Sequence, residues 1–248
     1  MNKYSTIIFD LFDTIVNFNF SHLPSIELKG LRSRTTSIEV YEVFARYYPE
    51  IDFADFHDPF IESYHQFQEM KLKEFKEFPN RERFKLMLSK MDLREIKNRD
   101  QLLEDMVLAH MNGLASCVEL PENNKKTLEY IKSKGYRLAI VSNFDYAPTA
   151  YMLLERFNIK NLFEEIVISE EVGWRKPNHI IFETVINKLE IQPQDALFVG
   201  DNFDADVVGS KALGMDAAWI NRKNRPENGL NPTPDYIINN LTELENII

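Results

Sequence analysis

Asp10, Ser142 and Asp201 share one placement, because each follows a short apolar run: Tyr4 to Phe9, Arg137 to Val141, and Ala196 to Val199 with Gly200 between. Leu11, Phe12, Asp13 and Thr14 continue from the first, Asn143 follows Ser142, and Asn202 follows Asp201 with Asp206 one helical turn further on. Lys176 lies in Gly-Trp-Arg-Lys-Pro-Asn, a loop ahead of a helix whose start is marked by Pro177. A carboxylate, a second carboxylate able to share a hard cation with it, a hydroxyl and a lysine are the parts needed to hold and attack a phosphoryl group. Mg2+ takes one or two carboxylates together with substrate phosphate, and a carboxylate oxygen left free can act as nucleophile. Taken singly, Asp10 is more often a cap, Ser142 a turn residue and Lys176 a solvated charge. At successive ends of one sheet they compose a site, since an open parallel sheet binds ligands beyond the carboxyl ends of its strands.

The sheet itself is legible as apolar runs alternating with helical patterns. To the three runs above are added Glu165 to Ile168 and Ala217 to Ile220, with Asp235 to Ile238 a further candidate strand. Between them, Pro121 to Lys134 stopped by Gly135, Pro148 to Phe157, Asn178 to Leu189, and Asp204 to Leu213 stopped by Gly214 have the length of crossover helices. Leu241 to Ile248 reads as a closing helix. Strands alternating with such helices predict a parallel sheet covered on both faces.

From about Asn17 to Ala115 no strand is evident, and apolar residues recur at helical spacing. Phe56, Phe60, Tyr64 and Phe67 make one face, Phe84, Met87, Leu88 and Met91 a second, and Leu103, Met106, Val107, His110 and Leu114 a third. Asp58 before Pro59, and Asn80 before Arg81, are helix starts by composition. Fourteen of the 28 Phe and Tyr residues fall between Phe18 and Phe84, which gives this stretch the material for its own core. The expected fold is α/β: a Rossmann-like, doubly wound parallel sheet from residues 1–16 and 116–248, with an all-helical cap domain, 17–115, inserted after the first strand.

Composition removes several function classes. Lys and Arg total 29 against 39 Asp and Glu, a net charge of −10 that disfavours a nucleic-acid backbone as partner. Cys117 is the only cysteine, which excludes an internal disulfide framework and a cysteine-based zinc site and fits a reducing, cytoplasmic setting. No apolar run approaches the roughly 18 residues of a membrane span, and the first reaches Asp10 too soon for a signal peptide. His22, His57, His65, His110 and His179 show no zinc-ligand spacing, and His110 reads as a packed core residue. Lys29, Arg32 and Arg34 cluster near the start of the insert and read as a solvated face, while Asn221 to Pro234 reads as a surface loop.

The motifs Phe9-Asp10-Leu11-Phe12-Asp13-Thr14, Val141-Ser142-Asn143, Lys176-Pro177, and Gly200-Asp201 with Asp206 and Gly209 resemble, in order and spacing, the four motifs of the haloacid dehalogenase-like hydrolase superfamily. Ser142-Asn143-Phe144-Asp145 and Gly173-Trp174-Arg175-Lys176-Pro177 are similar to its haloacid dehalogenase-like hydrolase domain-containing branch. The resemblance covers residues 1–16 and 116–222 and makes the insert the family's cap. It implies that Asp10 attacks phosphorus and becomes an aspartyl phosphate, with Ser142, Asn143 and Lys176 binding the phosphoryl group. It further implies Mg2+ held by Asp10, Asp201 and the backbone carbonyl of Phe12, with Asp206 fixing the metal's water shell.

One position departs from that pattern. The family's phosphatases carry a second Asp two residues after the nucleophile, as general acid and base; here Phe12 stands there and cannot transfer a proton. Asp13, where Gly is common, is the candidate replacement, or else caps a turn in the loop. An aromatic at this position also occurs in haloacid dehalogenases, but those lack the Gly-Asp pair kept here as Gly200-Asp201. The expected function is therefore a Mg2+-dependent phosphatase acting on a small phosphorylated metabolite. A catalytically impaired binder of a phosphorylated ligand ranks second and a 2-haloacid dehalogenase third. The substrate and the oligomeric state are not legible in the sequence.

Overall fold

The computed structural model describes residues 3–28, 30–226 and 229–248. The chain forms two compact units, Met1–Phe18 with Glu119–Ile248, and Asn19–Val118. Among the described residues no helix is long and apolar enough to cross a membrane.

The chain opens with β1 (Thr6–Phe9), four residues all buried, as a β-branched apolar run at the centre of a sheet should be. A short strand, β2 (Asn17–Phe18), leads to the second unit. That unit is helical, but it begins with an antiparallel hairpin, β3 (Ser25–Leu28) and β4 (Leu31–Arg34), where only helices were expected. The hairpin has Gly30 in its turn at φ 75°, a conformation that glycine adopts without steric cost. Its strands are too short and polar to show a period of two. Arg32 Nε donates to Ser25 Oγ at 2.9 Å, and Arg34 Nη1 donates to the Ser21 and Leu23 carbonyls at 2.6 Å, so these cations brace the hairpin. Lys29 lies outside the described residues.

Four helices complete the second unit: α1 (Ser37–Phe44), α2 (Phe53–Glu74), α3 (Asn80–Ser89) and α4 (Arg99–Ser116). Helix α2 starts six residues before the expected Asp58-Pro59 boundary, capped by the Asp52 carboxylate, which accepts from Asp55 N at 2.9 Å. Pro59 sits inside the helix because Phe56 and Phe60, one turn apart and on either side of it, are both buried, and their packing outweighs one lost hydrogen bond. Phe44, Phe56, Phe60 and Phe84 form a chain of rings 5.0 to 6.3 Å apart at the core. Tyr64, expected on that face, is exposed. His110 is buried and shares a 2.6 Å hydrogen bond with Thr36 Oγ1.

After β5 (Val118–Glu119) come α5 (Glu122–Ser133), β6 (Arg137–Ser142), α6 (Ala147–Arg156) and β7 (Glu165–Ile168). Next are the single turn α7 (Ser169–Val172), α8 (His179–Leu189), β8 (Ala196–Gly200), α9 (Val208–Ala212), β9 (Asp216–Ile220) and β10 (Tyr236–Ile238). The main sheet has the order β10-β9-β8-β1-β6-β7 and every pair in it is parallel. Leaving β1, the chain builds one side with β6 and β7 and then the other with β8, so the direction of winding reverses at β1, where a crevice opens at the carboxyl edge. Helix α8, capped by the Asn178 side chain on Ile180 N at 3.0 Å, buries Ile181, Phe182, Val185 and Leu189 against Ile8, Ala139, Val141 and Phe198.

Two expected helices take other forms. In place of one helix from Asp204 to Leu213, a wide turn of π-helical type spans Phe203–Val207 and only then narrows into α9. The Asn202 side chain caps it on Ala205 N at 3.0 Å. Leu241–Asn246 is a 3-10 helix, which suits the three-residue spacing of its buried Leu241 and Leu244.

The second unit contains a buried ion pair, Lys71 Nζ to Glu77 Oε1 at 2.7 Å, with the lysine 4.5 Å above the Phe67 ring. Removing only the cation leaves the buried Glu77 carboxylate without its countercharge, so Lys71→Met should lower unfolding free energy by about 3–5 kcal/mol. Lys71→Met with Glu77→Leu should recover most of that loss, as measured by urea unfolding of both variants.

Candidate active site

Strand register brings the chemical residues together. Phe9 pairs with Ile140 on one side and Val199 on the other, so Asp10, Val141 and Gly200 stand at one level near the strand ends. Asp10 N donates to Val199 O at 2.8 Å, which extends the ladder by one residue and fixes the backbone of the carboxylate. Ser142 and Asp201 each stand one residue beyond that level. A cleft of about 220 Å³ at this edge is lined by Asp10, Phe12, Asp13, Asn143, Lys176, Asp201 and Asp206, among others.

Lys176 is the hub. Its ammonium donates to Asp10 Oδ1 at 2.7 Å and to the Val141 carbonyl at 2.7 Å, and it lies 2.8 Å from Asp206 Oδ1. Burial works against its charge, yet the Asp10 and Asp206 carboxylates prevail and hold its pKa above the usual lysine value. The loop that carries it is clamped by Asn143, whose Oδ1 accepts from Lys176 N at 2.8 Å and whose Nδ2 donates to Lys176 O at 3.0 Å. The amide of Asn143, expected on the phosphate, is thus committed to placing the lysine.

Asp206 reaches this centre because Gly200 has no side chain. A Cβ at Gly200 would stand 2.2 Å from Asp206 Oδ2 and 2.4 Å from its Cγ. The same carboxylate accepts from Asn202 N at 2.9 Å, closing the wide turn over the strand end. Asp201 is fixed from behind, where the buried Trp219 Nε1 donates to its carbonyl at 3.0 Å.

The electrostatics leave an imbalance. Carboxylate oxygens of Asp10, Asp201 and Asp206 all lie within 4.8 Å of one another. Three carboxylates against the one ammonium of Lys176 leave a formal charge of −3 + 1 = −2 at a mostly buried edge. Burial, and then repulsion from Asp10, Asp206 and Asp13, raises the Asp201 pKa to about 7. Asp206 is likewise raised, by burial, against the pull of Lys176. An all-oxygen donor set with a deficit of two positive charges fits a hard divalent cation such as Mg2+.

Ser142 Oγ is fully buried and has no hydrogen-bond partner among the described residues, and the same holds for Thr14 Oγ1. A buried hydroxyl in that state costs free energy unless a ligand accepts a hydrogen bond from it. Phe12 has its ring stacked on Phe18 at 5.0 Å and tilted on Phe144 at 4.6 Å, an aromatic cluster at the cleft. Asp13 has φ 55°, a left-handed conformation that Asp adopts more readily than most non-glycine residues, and its Oδ1 accepts from Phe18 N at 3.3 Å. It therefore caps the turn and also lines the cleft. Sequence reasoning missed the supporting roles of Asn143, Asn202 and Trp219. Asn202, ahead of two acidic residues, carried a capping signal, whereas nothing local marks Trp219.

Residues 53–220, more than half of the chain, match the family described as haloacid dehalogenase-like hydrolase, a span that includes Ser142, Lys176, Asp201 and Asp206. A glyceraldehyde 3-phosphate phosphatase of Methanothermobacter thermautotrophicus is 35% identical over 133 residues, covering 51% of this chain and 57% of that protein. The chain thus matches little more than half of that relative's length. The protein of the same name from Pyrococcus furiosus is 26% identical over 251 residues, covering 100% of this chain and 94% of the relative. Among solved structures, the 2-haloacid dehalogenase of Pseudomonas syringae pv. Tomato shares the fold at a TM-score of 0.72 and 17% identity, over 98% of this chain and 97% of that one.

Gly200→Ala tests how tightly Asp206 is seated. The added methyl must push the Asp206 carboxylate away from Lys176, at a cost of about 1–3 kcal/mol for overpacking. Urea unfolding should show a lower midpoint, whereas an unchanged midpoint would mean that Asp206 moves aside freely.

Proposed function

The chain belongs to the haloacid dehalogenase-like hydrolase family, and we propose that it is a Mg2+-dependent phosphatase acting on a small phosphorylated metabolite. The observation that carries this reading is the convergence of Asp10, Asp201 and Asp206 around one buried lysine. Asp10, Asp201 and the Phe12 carbonyl would hold the cation, with Asp206 behind them. Bound there, it would offset negative charge on the phosphoryl oxygens and the nucleophile.

The chain's own groups supply the remainder. Lys176 holds Asp10 Oδ1, which leaves the second carboxylate oxygen to attack phosphorus. The new bond forms an aspartyl phosphate as the bond from phosphorus to the leaving oxygen breaks. Ser142 donates its otherwise unused proton to a phosphoryl oxygen, and Lys176 stabilises charge that develops there. Phe12 has no proton to give, so the phenolate or carboxylate of an aryl or acyl phosphate departs unaided, whereas the alkoxide of an alkyl phosphate needs a proton from Asp13. Water then attacks the aspartyl phosphate, its proton passes to Asp13, and Asp10 is released with inorganic phosphate. The relatives' name makes a triose phosphate a natural first substrate to assay. The insert, residues 17–115 by sequence, is assigned the substrate-selecting role of a cap, and the lone Cys117 supports a cytoplasmic setting.

A second reading is favoured by one observation, the Phe12 ring packed between Phe18 and Phe144 where an acid would stand: a binder of phosphorylated ligands without turnover. The dehalogenase reading is opposed by the retained carboxylate cluster. Steady-state assays with p-nitrophenyl phosphate and glycerol 3-phosphate, with and without Mg2+, separate these. Asp10→Asn should abolish turnover of both esters. Asp13→Asn should lower kcat on both esters by about 10²- to 10⁴-fold, the usual worth of general acid and base catalysis, because the attacking water gives its proton to Asp13 whichever ester formed the aspartyl phosphate. Ligand binding with no turnover in the parent chain would favour the binder, and metal-independent chloride release from a 2-chloro acid the dehalogenase.

A further inference from the structure

We propose that the tight turn after β9 recognises a second anionic group on the substrate, making the preferred ligand a phosphate ester that carries a carboxylate or another phosphate. The inference rests on the phosphatase reading for the first phosphate and adds a site on the other side of Asp13 and Asp201. A cavity of about 340 Å³ there is lined by Asp13, Asn17, Asp201, Trp219, Arg222, Lys223 and Arg225, so its wall shares Asp13 and Asp201 with the catalytic cleft. The cleft alone, at about 220 Å³, is smaller than the roughly 300–1,000 Å³ of ordinary small-molecule sites. Any substrate much larger than phosphate must therefore extend beyond it, and the cavity that shares Asp13 and Asp201 with it offers such an extension.

The turn is built to present cations. Asn221, buried, clamps Arg225 at both backbone polar groups, accepting from its N–H at 2.9 Å and donating to its carbonyl at 3.0 Å. Asn224 takes φ 46° to close the turn. Arg222 Nη1 donates to the Asp13 carbonyl at 2.5 Å, tying the turn to the loop that follows the nucleophile. Three cationic side chains thus fall within four residues of a chain whose net charge is −10. Among the described residues, Lys223 and Arg225 form no ion pair with a carboxylate, although many of the chain's lysines and arginines do. Cations left unneutralised on a concave wall make a field for an anion. Asn17 Oδ1, buried without a hydrogen-bond partner among the described residues, lies on the same wall and can accept from a substrate hydroxyl.

Calorimetry on the full chain carrying Asp10→Asn, with Mg2+, tests this by equilibrium binding. The probes are 3-phosphoglycerate, with a carboxylate, fructose 1,6-bisphosphate, with a second phosphate, and glycerol 3-phosphate, with neither. At least one doubly anionic probe should bind about tenfold or more tightly than glycerol 3-phosphate, the gain expected of charge-assisted hydrogen bonds at a half-open site. Adding Lys223→Ser and Arg225→Ser should remove that advantage, and the better of the two probes names the class of the second anion. Equal affinities, binding by none of the probes, or an advantage that survives the double substitution in a folded protein would overturn the proposal. A parent chain that hydrolyses no phosphate ester, while its Asp10→Asn form keeps the cation-dependent preference, would sink the phosphatase reading and leave this one standing.

Discussion

Everything at the sheet edge answers to one electrostatic constraint: three carboxylates crowd together and a single buried ammonium stands among them. Water would normally dilute such repulsion, but this edge is largely screened from it, so each charge feels its neighbours strongly. The upward displacement of Asp201 and Asp206, and the persistence of charge on Lys176 despite its burial, are three expressions of the same imbalance. A fold selected for stability alone would place apolar side chains here. Retention of the cluster is intelligible if a cation and an anionic ligand complete it.

The backbone supplies the positions before any side chain is considered. Parallel pairing of β1 with β6 and β8 places three strand ends in register, and the reversal of winding at β1 opens the edge between them. Two departures from regular structure then adjust the fit. A missing side chain at Gly200 and a wide turn at Phe203–Val207 let Asp206 fold back onto Lys176. Such π-helical turns occur often at functional sites, where one extra residue re-aims a side chain. Asn143 and Trp219 hold the pieces in place by hydrogen bonds to backbone groups of the residues that matter.

Much of this was legible in the sequence, for a physical reason. Buried parallel strands need apolar, β-branched runs, and crossover helices need length and caps, so the order of elements and the polar residues at strand ends could be read directly. Asp10, Asp201, Asp206 and Lys176 indeed converge. What escaped were features decided by tertiary contact. Helix α2 continues through Pro59 because rings on either side of it are buried, and the hairpin at Gly30 forms from strands too short to show alternation. The Asn143 side chain turned out to be committed to the lysine loop, a fact that depends on two segments 33 residues apart in the chain. The basic turn at Arg222–Arg225 read as an ordinary loop because its relation to Asp13 exists only in three dimensions.

The most direct test of the account is the stoichiometry and location of divalent-cation binding. Electron paramagnetic resonance with Mn2+ standing in for Mg2+ should find one bound ion per chain, displaced by Mg2+, and should lose it in Asp201→Asn. Tight Mn2+ binding that persists in that variant, or none in the parent protein, would contradict the shared-cation centre on which the account rests.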